Sequence, residues 1–365
     1  MVQKKTDRIS MREKRGQILR QMESFGGRIY DQIVSGEFPW IKMPSRSTRN
    51  ILFDSKTRQF VLGEKSVRRS SRNIRHLKPF AQLLWVASFA KELMRENRTS
   101  TLRDVFYQAQ AFDMTFQDQA ESDDIITDLE TVLEYAREDF SIFPEERSAI
   151  FGDLTVEYTV PGYEGKQLNL TSAPDGMMIG PALTSSEFVD TSAERVIVIE
   201  KGAMFTRFIE EKAYRRFKAL LIHTAGQAPR GTRQIIRRLN RELNLPLFLL
   251  TDADPWAMHI AAVIVSGSAN AAHLRELTTP DAKWIGVWAT DIIKYRLPHE
   301  RLSELDIKRL HELKKDIRYK EPLWQREIDS FLDNKMKAEQ EAFSRYGLSF
   351  IVDKYLPEKL REAGD

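Results

Sequence analysis

The chain has 365 residues, 42% hydrophobic and 30% charged, which suits two or three folded domains and excludes a largely disordered protein. It has no cysteine, so disulfides, zinc–thiolate sites and cysteine nucleophiles are excluded, and its six histidines form neither HExxH nor a helical HxxxH pair. The net charge of +3 hides an asymmetry: residues 1–78 hold 19 Lys+Arg against 7 Asp+Glu, a basic segment ahead of a mildly acidic body, which suits either a polyanionic partner or a solvated tail.

Residues 1–49 read as a basic arm containing a short amphipathic stretch, Met11–Tyr30. Ile51–Phe53 and Gln59–Leu62 flank the polar turn Asp54–Arg58 and predict a β-hairpin, and Ser66–Arg75 reads as a linker, so residues 1–75 form an N-terminal arm with a hairpin. Pro79–Arg98 is helical with an apolar face. Thr99–Thr101 offers an N-cap to a helix carrying LRDVFYQAQ, and Ile125, Ile126, Leu129, Val132, Leu133 and Ala136 recur at helical spacing. Ala149–Phe151 and Leu154–Val160 then predict a small hairpin. Helices closed by a hairpin predict a winged-helix (CAP-like) domain over residues 76–160. Residues 161–365 form the next expected domain, in which Arg195–Ser266 alternates strand and helix: Val196–Glu200, Ala203–Phe217, Ala219–His223, Thr232–Leu243, Pro246–Thr251 and Pro255–Val265. That pattern predicts a mostly parallel, Rossmann-like sheet covered by helices, followed by charged C-terminal helices broken at Pro322. The fold class is thus α/β and α+β multidomain. No apolar run approaches the ~20 residues a membrane span needs, and MVQKKTDRIS has no apolar signal core, so a cytoplasmic protein is expected.

Ligands of open α/β sheets bind beyond the carboxyl ends of the strands. Glu200 stands at one such end, and Asp252 and Asp254 stand at another, in TDADPW. Three converging carboxylates repel one another without a cation, and an all-oxygen donor set favours Mg2+. Strand-end carboxylates also cap helices, and Asp252 or Asp254 has that alternative at Pro255. Neither GxGxxG nor GxxxxGK[ST] is present, which disfavours Rossmann-type and P-loop nucleotide binding. The loop Gly226–Pro229 leaves the second strand on the same edge and leads to Arg230 and Arg233, which could grip a phosphate or simply be solvated. Tyr107 has Arg103 four residues before it, on the same helical face. A phenol is a poor nucleophile at neutral pH and needs a neighbouring cation to act as one. The alternative is a tyrosine that faces the core.

TLRDVFY (Thr101–Tyr107), VIVIEK (Val196–Lys201) and TDADPW (Thr251–Trp256) resemble, in order and spacing, the motifs of the cleaving subunits of type IIB DNA topoisomerases and of the related meiotic double-strand-break protein. HTAGQAPRGTR (His223–Arg233) and the stretch Ser266–Asp291 are similar to archaeal members in particular. The resemblance runs from about Ile51 to the C-terminus. It implies a winged-helix domain bearing a nucleophilic tyrosine and a Toprim domain bearing the metal ligands. Tyr107 would take the nucleophile's place, Arg103 that of a basic residue assisting it, and Glu200, Asp252 and Asp254 those of the Mg2+ ligands; Lys201 and Arg233 would hold DNA. The implied activity is a transient double-strand break through 5′-phosphotyrosyl links, used to relax or decatenate DNA. The implied assembly is a homodimer in which one protomer's tyrosine meets the other's metal. A separate GHKL-type ATPase, the B subunit, would complete an A2B2 heterotetramer on the nucleoid. Relatives often have tandem tyrosines, but position 106 is Phe; Ala253 and Ala257 stand where relatives often have glycine. Rival readings are a break-forming enzyme without strand passage, a non-catalytic winged-helix DNA binder, and a Toprim nuclease or primase that uses only the metal.

Overall fold

A computed structural model describes residues 9–145 and 147–364. The basic stretch at residues 1–8 lies outside them. Among the described residues buried apolar side chains form two large hydrophobic cores, one drawn from Ile18 to Ile142 and the other from Ile150 to Leu360, and a small cluster of Ala136, Leu274 and Leu277.

Helix α1 (Met11–Val34) starts at a capping box, in which Ser10 accepts from the Glu13 N–H and Glu13 reaches back to the Ser10 N–H. Its Ile18, Met22, Phe25 and Ile29 recur every three to four residues and are buried in the first core. The described part of the expected arm is therefore a packed helix, because that apolar stripe has a core to enter. Strand β1 (Trp40–Pro44) pairs antiparallel with β4 (Ser66–Ser70) around the predicted hairpin, β2 (Ile51–Asp54) and β3 (Gln59–Leu62). The expected linker at 66–75 thus starts as a strand. Helix α2 (Ile74–Glu96), strand β5 (Ser100–Thr101), helices α3 (Leu102–Ala111) and α4 (Gln119–Leu133) and strand β6 (Ile142–Phe143) complete this half. Strands β5 and β6 pair in parallel. Leu83, Val86 and Met94 of α2 meet Val105 and Ala109 of α3 and Ile126 and Leu129 of α4 in one core.

The second half opens with strands β7 (Ala149–Phe151), β8 (Leu154–Glu157), β9 (Gln167–Asn169) and β10 (Met177–Met178), helix α5 (Pro181–Thr184) and strand β11 (Glu187–Thr191). Then come β12 (Arg195–Ile199), α6 (Gly202–Glu210), α7 (Ala213–Arg216), β13 (Ala219–His223), α8 (Arg230–Leu243), β14 (Leu247–Leu250), α9 (Pro255–Ser266) and β15 (Lys283–Gly286). The main sheet has the order β10-β7-β13-β12-β14-β15; β13, β12, β14 and β15 run parallel, and β7 and β10 extend the edge antiparallel. Its Val-, Ile- and Leu-rich strands are buried on both faces, as parallel strands between helical layers must be. Helices α10 (Ala289–Lys294), α11 (Glu304–Lys315) and α12 (Pro322–Asn334) follow, with the short strands β16 (Glu300–Arg301) and β17 (Met336–Lys337) pairing beside them.

The hairpin expected to close the helical domain is not one. Strand β7 joins the main sheet against β13, with Ile150 opposite Ile222, while β8 sits between β9 and β11. Ile150 and Phe151 are buried with the second core, which outweighs their closeness in sequence to Leu154. Gly152 makes the separation possible. At φ +140° a Cβ there would lie 3.0 Å from the Ala219 carbonyl oxygen. The division expected at residue 160 accordingly falls between Ile142 and Ile150. Among the described residues no helix is long and apolar enough to cross a membrane.

Candidate active site

Helix α3 is held at its N-terminus by Thr101, whose hydroxyl accepts from the Asp104 N–H at 3.0 Å while Asp104 accepts from the Thr101 N–H at 3.3 Å. Val105 and Ala109, one turn apart, face the core. Tyr107 therefore points away from it and is 52% exposed, which sets aside the reading of a core-facing tyrosine. The Arg103 guanidinium lies 5.8 Å from the Tyr107 ring centre, and hydrogen bonding to Tyr107 raises its pKa above the ordinary arginine value. Phe106 packs edge-on against the same ring at 5.4 Å. A cleft of about 450 Å3 beside the start of α3, lined by Arg103, Glu145, Arg147, Ala225, Gln227 and Pro229, separates this helix from the loop after β13.

The acids stand where β12 and β14 end. These strands are neighbours, with Ile199 opposite Leu250, so Glu200 and Asp252 leave the sheet side by side. The Asp252 N–H donates to Glu200 Oε2 at 3.0 Å. Burial pushes the Glu200 carboxyl up to about 8, and the charges of Asp252 and Asp254 push in the same direction. Asp252 is buried; it accepts from the Gln340 N–H at 3.0 Å and pairs with Lys201 Nζ at 3.0 Å, yet burial still raises its pKa. Asp254 is raised by burial too, and caps α9 by accepting from the Trp256 and Ala257 N–H groups at 2.7 and 2.8 Å. The capping alternative for TDADPW is thus realised at Asp254. Among the described residues no three His, Cys, Asp or Glu side chains converge in metal-holding geometry. The chemistry of the donor set still fits a hard divalent cation: all donors are oxygen, and Glu200 carries a repulsion that a cation would relieve.

Lys201, Arg230 and Arg233 are placed differently from the expectation of a phosphate grip. Lys201 is committed to carboxylates, at 3.0 Å from Asp252, 3.1 Å from Glu339 and 3.2 Å from Glu341. Arg230 pairs with the buried Glu130 of α4. Arg233, one turn further along α8, is buried between the two halves, and burial together with the charge of Arg230 lowers its pKa to about 10. The reason is the packing of α8, whose first turn faces the helical domain instead of solvent.

Sequence reading missed the segment that closes over the acids. Ala253 and Ala338 exchange both backbone hydrogen bonds, at 2.8 and 3.0 Å, and this brings Glu339, Gln340 and Glu341 to Asp252 and Lys201. The only sequence signal was the acidic spacing AEQE, which is common on ordinary surfaces. His223 stands at the same sheet edge. It ends β13 opposite Ile199, lies 4.9 Å from the Phe205 ring and is lowered in pKa by burial.

Comparison with known proteins fits this division of the chain. Residues 195–360 match the family model for the Toprim domain shared by the topoisomerase 6 A-subunit and Spo11, and residues 78–142 match one described as type IIB DNA topoisomerase. The second match ends where the helical core ends. The chain is 44% identical to the A-subunit of type 2 DNA topoisomerase 6 from Methanothermobacter thermautotrophicus, over 94% of this chain and 96% of that one. It is 37% identical to the Archaeoglobus fulgidus protein of the same name, over 97% and 99% of the two chains, and 34% identical to that of Pyrococcus abyssi, over 94% of each. An exposed tyrosine beside an arginine in the helical domain, an acidic edge on the Toprim sheet, and near full-length similarity to these proteins together show that the chain belongs to the type IIB DNA topoisomerase A-subunit family.

Proposed function

We propose that this chain cuts and reseals duplex DNA with Tyr107 as the nucleophile, working with an ATPase of the topoisomerase 6 B-subunit type. The Tyr107 oxygen attacks a backbone phosphorus. A new phosphorus–oxygen bond forms, the bond to the 3′ oxygen breaks, and the phenol proton is given up as that oxygen is protonated. The 5′-phosphotyrosyl link conserves the energy of the broken bond, so resealing is the reverse step and needs no further energy source. Arg103, beside the ring, stabilises the phenolate and the negative charge that gathers on the phosphate. The exposed setting of α3 leaves the hydroxyl open to a duplex. We read α2, α3 and α4 as the helix-turn-helix part of a winged-helix DNA reader, although the β7–β8 segment is not its wing.

Glu200, Asp252 and Asp254 would hold Mg2+, for which an all-oxygen set is suited. When bound, the ion offsets charge on the phosphate oxygens and on the leaving 3′ oxygen. Lys201 works against the burial that raises the Asp252 pKa, and ties Asp252 to Glu339 and Glu341. No hydrogen bond or ion pair among the described residues joins Tyr107 or Arg103 to the three acids. We therefore read the site as completed across a homodimer, with one protomer's tyrosine meeting the other's acidic edge, and two such chains with two B-type ATPases would form an A2B2 complex. We read the protein as cytoplasmic and associated with the nucleoid, where its proposed substrate would be.

The observation that carries this reading is the exposed Tyr107 with Arg103 at its ring. With the B-type ATPase, ATP, Mg2+ and supercoiled plasmid, Tyr107→Phe is expected to abolish both relaxation and covalent protein–DNA adducts. Adducts that persist would refute the assignment.

A further inference from the structure

Helix α4 turns a polar face inward. Thr127, Asp128, Glu130 and Thr131 are all buried on it, where a helix between two apolar cores ordinarily buries apolar side chains. Glu130, the most enclosed of them, gathers groups from both halves of the molecule. From its own half, Arg137 donates through its backbone N–H at 3.0 Å, Nε at 2.9 Å and Nη2 at 3.2 Å. From the sheet half, Arg230 at the start of α8 donates to Oε1, and His273, in the loop after α9, lies 3.0 Å from Oε2. Burial alone would raise the Glu130 carboxyl; Arg137, His273 and Arg230 instead hold it well below the usual range. A second tie runs beside it, from Lys14 of α1 to Asp139 at 2.8 Å and to Glu276 of the sheet half at 3.3 Å.

A buried charge cluster is a costly way to join two domains, since apolar side chains of the same volume often stabilise as well or better. What it adds is direction. An apolar contact tolerates sliding, whereas a carboxylate with three donors fixed on separate elements accepts one arrangement. The joint also leads straight to the nucleophile. Ile126 and Leu129 of α4 share a core with Val105 and Ala109 of α3, which flank Tyr107 in sequence and face away from it.

We propose that Glu130 is a positioning residue for DNA cleavage: through Arg230 and His273 it docks the tyrosine-bearing helical domain on the Toprim domain in one register, and thereby places Tyr107. This rests on the reading of Tyr107 as the attacking group. Because the acids that Tyr107 meets belong to the other protomer in that reading, an error at the joint displaces both scissile positions of the dimer.

The absence of native cysteine allows clean double labelling. Spin labels on Glu92→Cys of α2 and Glu304→Cys of α11, both exposed positions, report the distance between the halves when labelled chain is diluted with unlabelled chain. The parent pair is expected to give one narrow distribution. Glu130→Gln should broaden it or add a second distance, and should lower covalent adduct formation by the A2B2 complex at least tenfold while DNA affinity changes less than twofold. Glu130→Gln combined with Arg230→Gln removes one of the cations left unpaired, and should recover at least threefold of the lost cleavage together with the narrow distribution. If Glu130→Gln does not fold, His273→Gln serves as the milder change, with a twofold to fivefold loss of adducts and a broadened distribution. Wild-type cleavage in the variant that folds, or lost cleavage with an unaltered distribution, would overturn the proposal. Tyr107→Phe run in parallel reads the nucleophile assignment alone: adducts from that variant would sink the reading of Tyr107 while the distance measurement still judges the joint.

Discussion

Tyr107 stands on an open helix face with one guanidinium beside it, whereas Glu200, Asp252 and Asp254 stand at a half-buried sheet edge where burial raises the pKa of all three. Tyr107 is thus left open to solvent, whereas the acidic edge carries carboxylates whose ionised form burial disfavours. A group exposed to solvent costs little to keep and waits for its substrate. A cluster of desolvated carboxylates is costly until a cation arrives, which is the usual signature of a functional site held against stability. The two regions should therefore answer differently to the same perturbations.

The largest contrast lies between Tyr107 and Glu200. Tyr107→Phe removes one exposed hydroxyl and should leave stability within about 0.5 kcal/mol, as is usual at the surface, while activity is lost outright. Glu200 should behave otherwise. Burial pushes its folded carboxyl up to about 8, against 4.5 as the ordinary value. A raised carboxyl favours the folded state at low pH, and that advantage is lost as pH climbs through the folded value. Metal-free protein should therefore lose stability between about pH 4.5 and pH 8, by roughly 3–5 kcal/mol from this group. Thermal or urea unfolding in EDTA checks the slope. Glu200→Gln should flatten it and abolish cleavage, and Mg2+ should stabilise the parent protein more at pH 8 than at pH 5. A metal-free stability that rises over the same range would mean that the three carboxylates do not burden the fold.

A smaller effect separates two roles at Asp254. Its charge helps to raise the Glu200 pKa, and its carboxylate also caps α9 through two N–H groups. Asparagine keeps a capping oxygen and removes the charge, while alanine removes both. Asp254→Ala should unfold about 1 kcal/mol more easily than Asp254→Asn, with cleavage lost in each. Equal stabilities would show that the cap contributes nothing.

Much of this was legible in the sequence because the signals were periodic or local. The apolar strands Val196–Ile199, Ala219–His223 and Leu247–Leu250 declared a parallel sheet, and the carboxylates just past two of them marked its edge. Arg103 and Tyr107 shared a face by helical spacing alone. What the sequence hid depended on partners distant in the chain. Ala149–Phe151 reads as half of a hairpin, and only the open edge of β13 draws it into the main sheet. Arg230 and Arg233 look like surface cations until Glu130, about a hundred positions earlier, is found against them. Glu339 and Glu341 carry no local mark of their proximity to Lys201, because a single backbone bridge at Ala253 and Ala338 brings them there. The amphipathic stripe of α1 was visible, but not the core that receives it.

In the proposed reading the two unlike regions meet between protomers to serve one reaction, and mixing two inactive chains tests this directly. A heterodimer of Tyr107→Phe with Glu200→Gln, assembled with the B-type ATPase, Mg2+ and supercoiled plasmid, holds one intact tyrosine and one intact acidic set on opposite chains. It should restore nicking, with the single covalent link on the Glu200→Gln chain, although neither parental homodimer cuts. Heterodimers that form yet leave every plasmid unbroken would contradict a site shared across the dimer.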